Sequence, residues 1–298
     1  MTTRSYRFNL LLVFCAGLFW STQGVAIRLI EASDAWQILF YRSISLSVFL
    51  AGVIVFQYRR GFFGAIHKTG VPGIMGAVCL VFAYAFSILA MQKTTIADAV
   101  LLFATAPFFA AILGLFFLRE RVRKTTWVAI GLAMAGIVVM QGGAIANGNA
   151  LGNLFAVGSA LCFALFTLVL RWRKQGDMTP TVFLSGVFAA AICFGMTTIQ
   201  GTGIVVPSQD IWIASLMGIF QTGAGLVLYT IGARIVPAVQ LALLPLIEVL
   251  LSPLWVALIV GEMPTAVVLG GGLFVGAAII GDALLSLRPI NSRPDHIE

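Results

Sequence analysis

The sequence predicts an all-α integral membrane fold: ten transmembrane helices arranged as two inverted five-helix repeats around a central cavity. Three observations predict it. Of 298 residues, 60% are hydrophobic and only 10% charged, where a soluble domain carries about a quarter charged residues. Ten apolar segments each approach the ~20 residues that cross a hydrocarbon core. The last five segments repeat features of the first five at a nearly constant offset.

The first segment, about residues 8–30, is too long for a signal-peptide core, and the IEASDAW after it lacks a small-residue cleavage pattern. The second, about 34–57, carries Arg42, and the third runs over about 70–92. The fourth, about 95–118, has Asp98 in its first turn, where a carboxylate suits a helix N-terminus. Pro107 removes a backbone hydrogen bond from that span and predicts a kink. The fifth, about 125–141, pairs Gly131 with Ala135, and the sixth, about 150–171, centres on Phe163. The seventh and eighth cover about 180–201 and 211–233, the latter with Gln221 and Thr222 inside. The ninth, about 236–260, holds Glu248 between the kink candidates Pro245 and Pro253. The tenth, about 265–286, contains GGGLFVG with Gly272 and Gly276 at GxxxG spacing. Such small pairs let helices approach closely, and packing within one chain accounts for them before a dimer face does. A monomer or a weak homodimer is expected, and the short loops leave no separate soluble domain.

Lysine and arginine set the orientation, because short cytoplasmic loops hold their excess. With the N-terminus in the cytoplasm, that side collects 15 of the 18 basic residues: Arg4, Arg7, Arg59, Arg60, Lys68, Arg119, Arg121, Arg123, Lys124, Arg171, Arg173, Lys174, Arg234, Arg288 and Arg293. An even number of spans returns the C-terminus to the same side. The net charge of +7 is thereby explained by topology, and nucleic-acid binding is set aside. Cys15, Cys79, Cys162 and Cys193 lie in apolar segments without CxxC or histidine partners, so no metal site is expected. His67 in a loop and His296 in the tail exclude a histidine-based catalytic site inside the membrane.

An offset of 143 residues places Trp20 on Phe163, Arg28 on Arg171 and Asp34 on Asp177; an offset of 142 places Glu120 on Glu262 and Pro107 on Val249. The units are residues 1–147 and 148–298. Five spans per unit is odd, so the second unit enters the membrane from the opposite side. The arginines around Glu120 have no counterpart around Glu262 because that loop faces outward, where basic residues would oppose the orientation. Inverted repeats are the usual construction of secondary transporters, with a midplane site bounded by interrupted helices.

These residues resemble the drug/metabolite transporter superfamily, in particular its ten-span EamA-type exporters. The resemblance rests on GLFWSTQG and LCFALFTL in the first span of each unit, on APFFAAILGLFFLRE at 106–120 and on IEVLLSPLWVALIVGE at 247–262. In this chain Val249 stands where the family pattern has a proline after the glutamate. The resemblance implies export of small metabolites through a cavity lined by the first four spans of each unit, with the fifth and tenth peripheral. Amino-acid exporters of the YddG type are similar in length and aromatic content. The implied location is a bacterial inner membrane, with both termini cytoplasmic.

Ionisable groups at membrane depth are functional candidates by default. Glu248 would carry a coupling proton or bind a substrate amine, or else hydrogen-bond across helices as a protonated side chain. Arg42 would receive a carboxylate through its planar fork, or snorkel outward to Asp34. Ser21, Thr22, Gln23, Ser159, Gln221, Thr222 and, nearer the inner end, Gln240 are neutral polar residues within the spans, and glutamine can serve both ends of a zwitterion. Trp20, Tyr84, Phe103, Phe163 and Tyr229 would shape an apolar wall able to hold a ring or a cation. The expected substrates are amino acids, aromatic or otherwise hydrophobic ones included, moved by alternating access. The alternative is efflux of cationic drugs with Glu248 as counter-charge. No GxxxxGK[ST] loop, metal cluster or paired catalytic residues occur at one depth, so an enzyme and a cofactor are not expected.

Overall fold

A computed structural model describes residues 3–93, 99, 102–120, 122–140, 150–172, 177–261 and 266–286. Among these, 7 helices are long and apolar enough to cross a membrane: Ser5–Arg28, Ala35–Tyr58, Phe62–Ala90, Ala150–Trp172, Thr179–Gln200, Ser208–Gly232 and Ala238–Ile259. The shorter apolar helices Ala106–Phe117, Lys124–Val139 and Leu269–Leu285 fill the remaining three positions. The ten are numbered here as spans 1 to 10 in chain order. Apolar side chains such as Phe56, Phe116 and Leu273 point outward from the bundle, because lipid solvates them as well as a core would. Asp98, Glu262, Arg173, Lys174, Arg288 and Arg293 lie outside the described residues.

Most contacts between spans recur when span n is exchanged with span n+5. Span 3 packs on span 6 as span 8 packs on span 1; span 3 packs on span 7 as span 8 packs on span 2; span 4 packs on span 6 as span 9 packs on span 1. Spans 2 and 7, 4 and 9, and 5 and 10 each pack on their own counterpart. Spans 5 and 10 form a pair joined to the rest mainly through span 9. Trp20 and Phe163, equivalent at the 143-residue offset, meet with ring centroids 5.8 Å apart. Equivalent residues touch only near the axis that relates the repeats.

Local chemistry sets where helices begin and break. Asp34 caps span 2: its Oδ1 accepts from the N–H groups of Trp36 (2.8 Å) and Gln37 (2.9 Å), and Gln37 Oε1 accepts from Asp34 N–H, a capping box. The helix Phe62–Lys93 starts well before the expected third span. It is two helices hinged at Gly70, whose φ of 59° a residue with a side chain rarely adopts. Span 1 breaks at Ser21–Thr22, where Ser21 Oγ and Thr22 Oγ1 donate to the carbonyls of Leu18 (2.6 Å) and Phe19 (2.7 Å), a back-bonding that competes with the helix ladder. Span 4 breaks just before Ala106, with Pro107 in the first turn of the new helix. Span 9 passes through a 3-10 turn, Leu244–Leu246, that contains Pro245. At the 142-residue offset Thr105 falls on Ile247, so the breaks of spans 4 and 9 coincide. Pro253 falls within the helix Ile247–Val260.

Candidate functional site: a cavity among broken helices

The breaks surround a cavity of about 350 Å³, within the size range of small-molecule sites. Spans 1, 2, 3, 4, 6, 8 and 9 line it. Its lining runs from the middle of the bundle toward the membrane face opposite the basic loops, through Gly24 and Ile27 of span 1, Ser87 of span 3 and Ser252 of span 9.

Arg42 of span 2 and Glu248 of span 9 both face it. The guanidinium of Arg42 lies 5.1 Å from the ring centroid of Tyr84, a cation–π contact. Asp34, occupied by its cap, does not pair with it. Among the described residues neither the Arg42 guanidinium nor the Glu248 carboxylate has an ion-pair or hydrogen-bond partner within the protein. Span 2 packs on spans 7 and 8 while span 9 packs on spans 1 and 4, which sets the two charges on different walls. A chain of hydrogen bonds joins cavity-lining residues of spans 8 and 1: Thr222 Oγ1 donates to Gln221 Oε1 (2.9 Å) and Gln221 Nε2 to Gln23 Oε1 (3.1 Å). Ser159 also lines the cavity and donates to the carbonyl of Ala83 across spans 6 and 3 (2.8 Å).

The aromatic candidates divide by depth. Trp20, Tyr84, Phe103 and Phe163 line the cavity. Tyr229 does not: it is fully buried beneath, 5.3 Å from Trp20 and 5.6 Å from Phe163, with its hydroxyl bonded to Thr167 (2.7 Å). Together with Phe166 it forms an aromatic layer on the side of the basic loops. Gln240 lies apart as well, donating to Asp282 (3.2 Å) and accepting from the Tyr6 hydroxyl. Thr126 donates to the same Asp282 (2.6 Å), which fastens the pair of spans 5 and 10 to span 9. Ser21 turns away to accept from Trp255 Nε1 (2.9 Å).

Beyond the aromatic layer, an ionic clasp that sequence reasoning did not single out closes the basic face. Glu120 follows span 4 and accepts from Arg171 Nε (3.0 Å) and NH2 (2.5 Å) at the end of span 6. Arg171 NH1 donates to the Ala233 carbonyl (3.1 Å), and Glu120 Oε2 accepts from Ala238 N–H (3.1 Å) at the start of span 9. Spans 4, 6, 8 and 9 are thus tied at one point. A second cluster joins Tyr58, Asp177 and Arg234, with Tyr58 donating to Asp177 (2.9 Å) and Arg234 3.6 Å from it.

A bundle of inverted repeats whose broken spans meet at a largely apolar cavity carrying a few polar side chains has the architecture of a secondary transporter. The EamA-like transporter family model matches residues 7–141 and again 150–282. The chain belongs to this family of membrane transporters and carries two copies of its unit. It is similar to an uncharacterized transporter of Clostridium kluyveri (24% identity over 91% of each chain) and to the uncharacterized transporter YwfM of Bacillus subtilis (24% identity, 95% of this chain and 94% of that one). A solved crystal structure superposes with a TM-score of 0.77 at 21% identity, covering 93% of this chain and 96% of the other, which shows the shared fold.

Proposed function

We propose that the chain exports small zwitterions, foremost amino acids including aromatic and other hydrophobic ones, from the cytoplasm across a bacterial inner membrane. The observation that carries this is the pair of opposite charges, Arg42 and Glu248, on different walls of one cavity, neither with an ion-pair or hydrogen-bond partner among the described residues. An unpaired charge at membrane depth is costly, and a ligand carrying both a carboxylate and an ammonium compensates both at once. The guanidinium fork suits a carboxylate, and the aromatic wall of Trp20, Phe103 and Phe163 suits an apolar side chain. The excess of basic residues supports a cytoplasmic position for the closed face and both termini. The cavity then belongs to an outward-facing state, and alternating access carries it to the other face.

Counterflow in proteoliposomes tests the substrate class, with labelled amino acids compared against cationic dyes. Exchange of amino acids is the expected result. Movement of cationic dyes alone, abolished by Glu248→Gln, would replace this reading with drug efflux in which Glu248 is the counter-charge.

A further inference from the structure

Span 8 is not α-helical throughout. Met217–Ala224 forms a π-helical stretch between the α-helices Ser208–Leu216 and Gly225–Gly232. The equivalent part of span 3, residues 74–81 at the 143-residue offset, lies within the α-helical portion of Phe62–Lys93. The shared fold therefore does not require the π turn. Such turns are rare and concentrate at functional sites. Here the wider turn lets the consecutive residues Gln221 and Thr222 both line the cavity.

The direction of the hydrogen-bonded chain has a chemical consequence. Thr222 donates to the Gln221 carbonyl oxygen, and the Gln221 amide donates to the Gln23 carbonyl oxygen. Both acceptors are used, so the chain ends on the Gln23 Nε2 amide, a pair of N–H donors on a cavity-lining residue. The same π turn abuts span 2. A Cβ on Gly218 would strike the Arg42 carbonyl oxygen and Ser45 Oγ, and one on Gly223 would strike the Phe49 ring. One element thus packs against the turn that carries Arg42 and holds Gln23 by its side chain.

We propose that Gln221 is a positioning residue. It fixes the Gln23 amide with its N–H groups toward the cavity, so that Gln23 and Arg42 together take the carboxylate of the substrate and distinguish it from a neutral carboxamide. This rests on the zwitterion reading above.

The test compares counterflow of an amino acid with that of its carboxamide, which keeps the ammonium and lacks the carboxylate. Gln221→Leu is expected to raise KM for the amino acid about tenfold, the worth of a hydrogen bond to a charged group, and KM for the carboxamide several-fold less, because its neutral oxygen accepts a weaker bond from the same N–H groups. Gln23→Leu is expected to do the same, and the double variant no more than either single one, because Gln221 acts only through Gln23. Thr222→Val loosens the chain one link further away and should shift KM in the same direction by less. Equal losses for acid and carboxamide, or additive losses in the double variant, would show a merely structural Gln221 and overturn the proposal while leaving the zwitterion reading intact. A parent protein that exchanges cations and no amino acid overturns both.

Discussion

Replacing Glu120 by glutamine tests whether the clasp is a gate or a permanent tie. Arg171 and Glu120 side chains are only 7% and 18% exposed, and removing one partner of a buried pair costs about 3–5 kcal/mol because the other charge is left without compensation. Glutamine keeps an acceptor for Ala238 N–H, so the low end of that range applies. At about 1.4 kcal/mol per tenfold, a loss confined to the state with the basic face closed shifts the two access states by about two powers of ten. The readout is modification of Ser87→Cys, a cavity position, by a membrane-impermeant thiol reagent, with Cys15, Cys79, Cys162 and Cys193 replaced by alanine. In vesicles of both orientations, Glu120→Gln should raise labelling from the basic face and lower it from the opposite face. A drop in thermal stability with the ratio of labelling unchanged would mean the clasp persists in both states, and the gating account would fail.

Three further outcomes are expected. Gly225→Ala places a Cβ into the Trp20 indole and should destabilise by about 1–3 kcal/mol with altered tryptophan fluorescence, whereas Gly131→Ala, where a Cβ meets nothing within 4 Å, should be neutral or stabilising in the same melt. Asp210→Ala removes the acceptor of four donors, the N–H groups of Glu31, Ala32 and Ser33 and the Ser33 hydroxyl, and should lower thermal stability by about 1–3 kcal/mol while exposing the 29–34 loop to protease. Tyr229→Phe loses only the bond to Thr167, which still donates to the Phe163 carbonyl, so a thermal melt should show about 0.5–1.5 kcal/mol lost with KM unchanged.

The ten spans were legible because hydropathy needs no knowledge of neighbours, and the repeat because charge positions recur at one offset. Their inner detail was less so. GFFGAIHKTG reads as a loop from its charge and glycines, yet it forms a helix ending at the Gly70 hinge. The break in span 1 has no proline; two hydroxyls turned back on their own carbonyls mark it. Depth along a helix can be read from sequence, whereas the direction a side chain points depends on what packs against it. That is why Gln221 and Gln240, alike in sequence, lie in separate networks. The Glu120–Arg171 clasp has a signal in the repeat itself: both residues have counterparts in the other unit, Glu262 and Arg28.

The central claim is that Arg42 and Glu248 bind the two ends of one zwitterion, and titration calorimetry on the purified protein tests it most directly. The account predicts that an amino acid binds the parent and is weakened by Arg42→Gln and by Glu248→Gln. The corresponding amine without a carboxylate should be weakened only by Glu248→Gln, and the corresponding acid without an ammonium only by Arg42→Gln. Binding of the amino acid that is indifferent to both substitutions would contradict it.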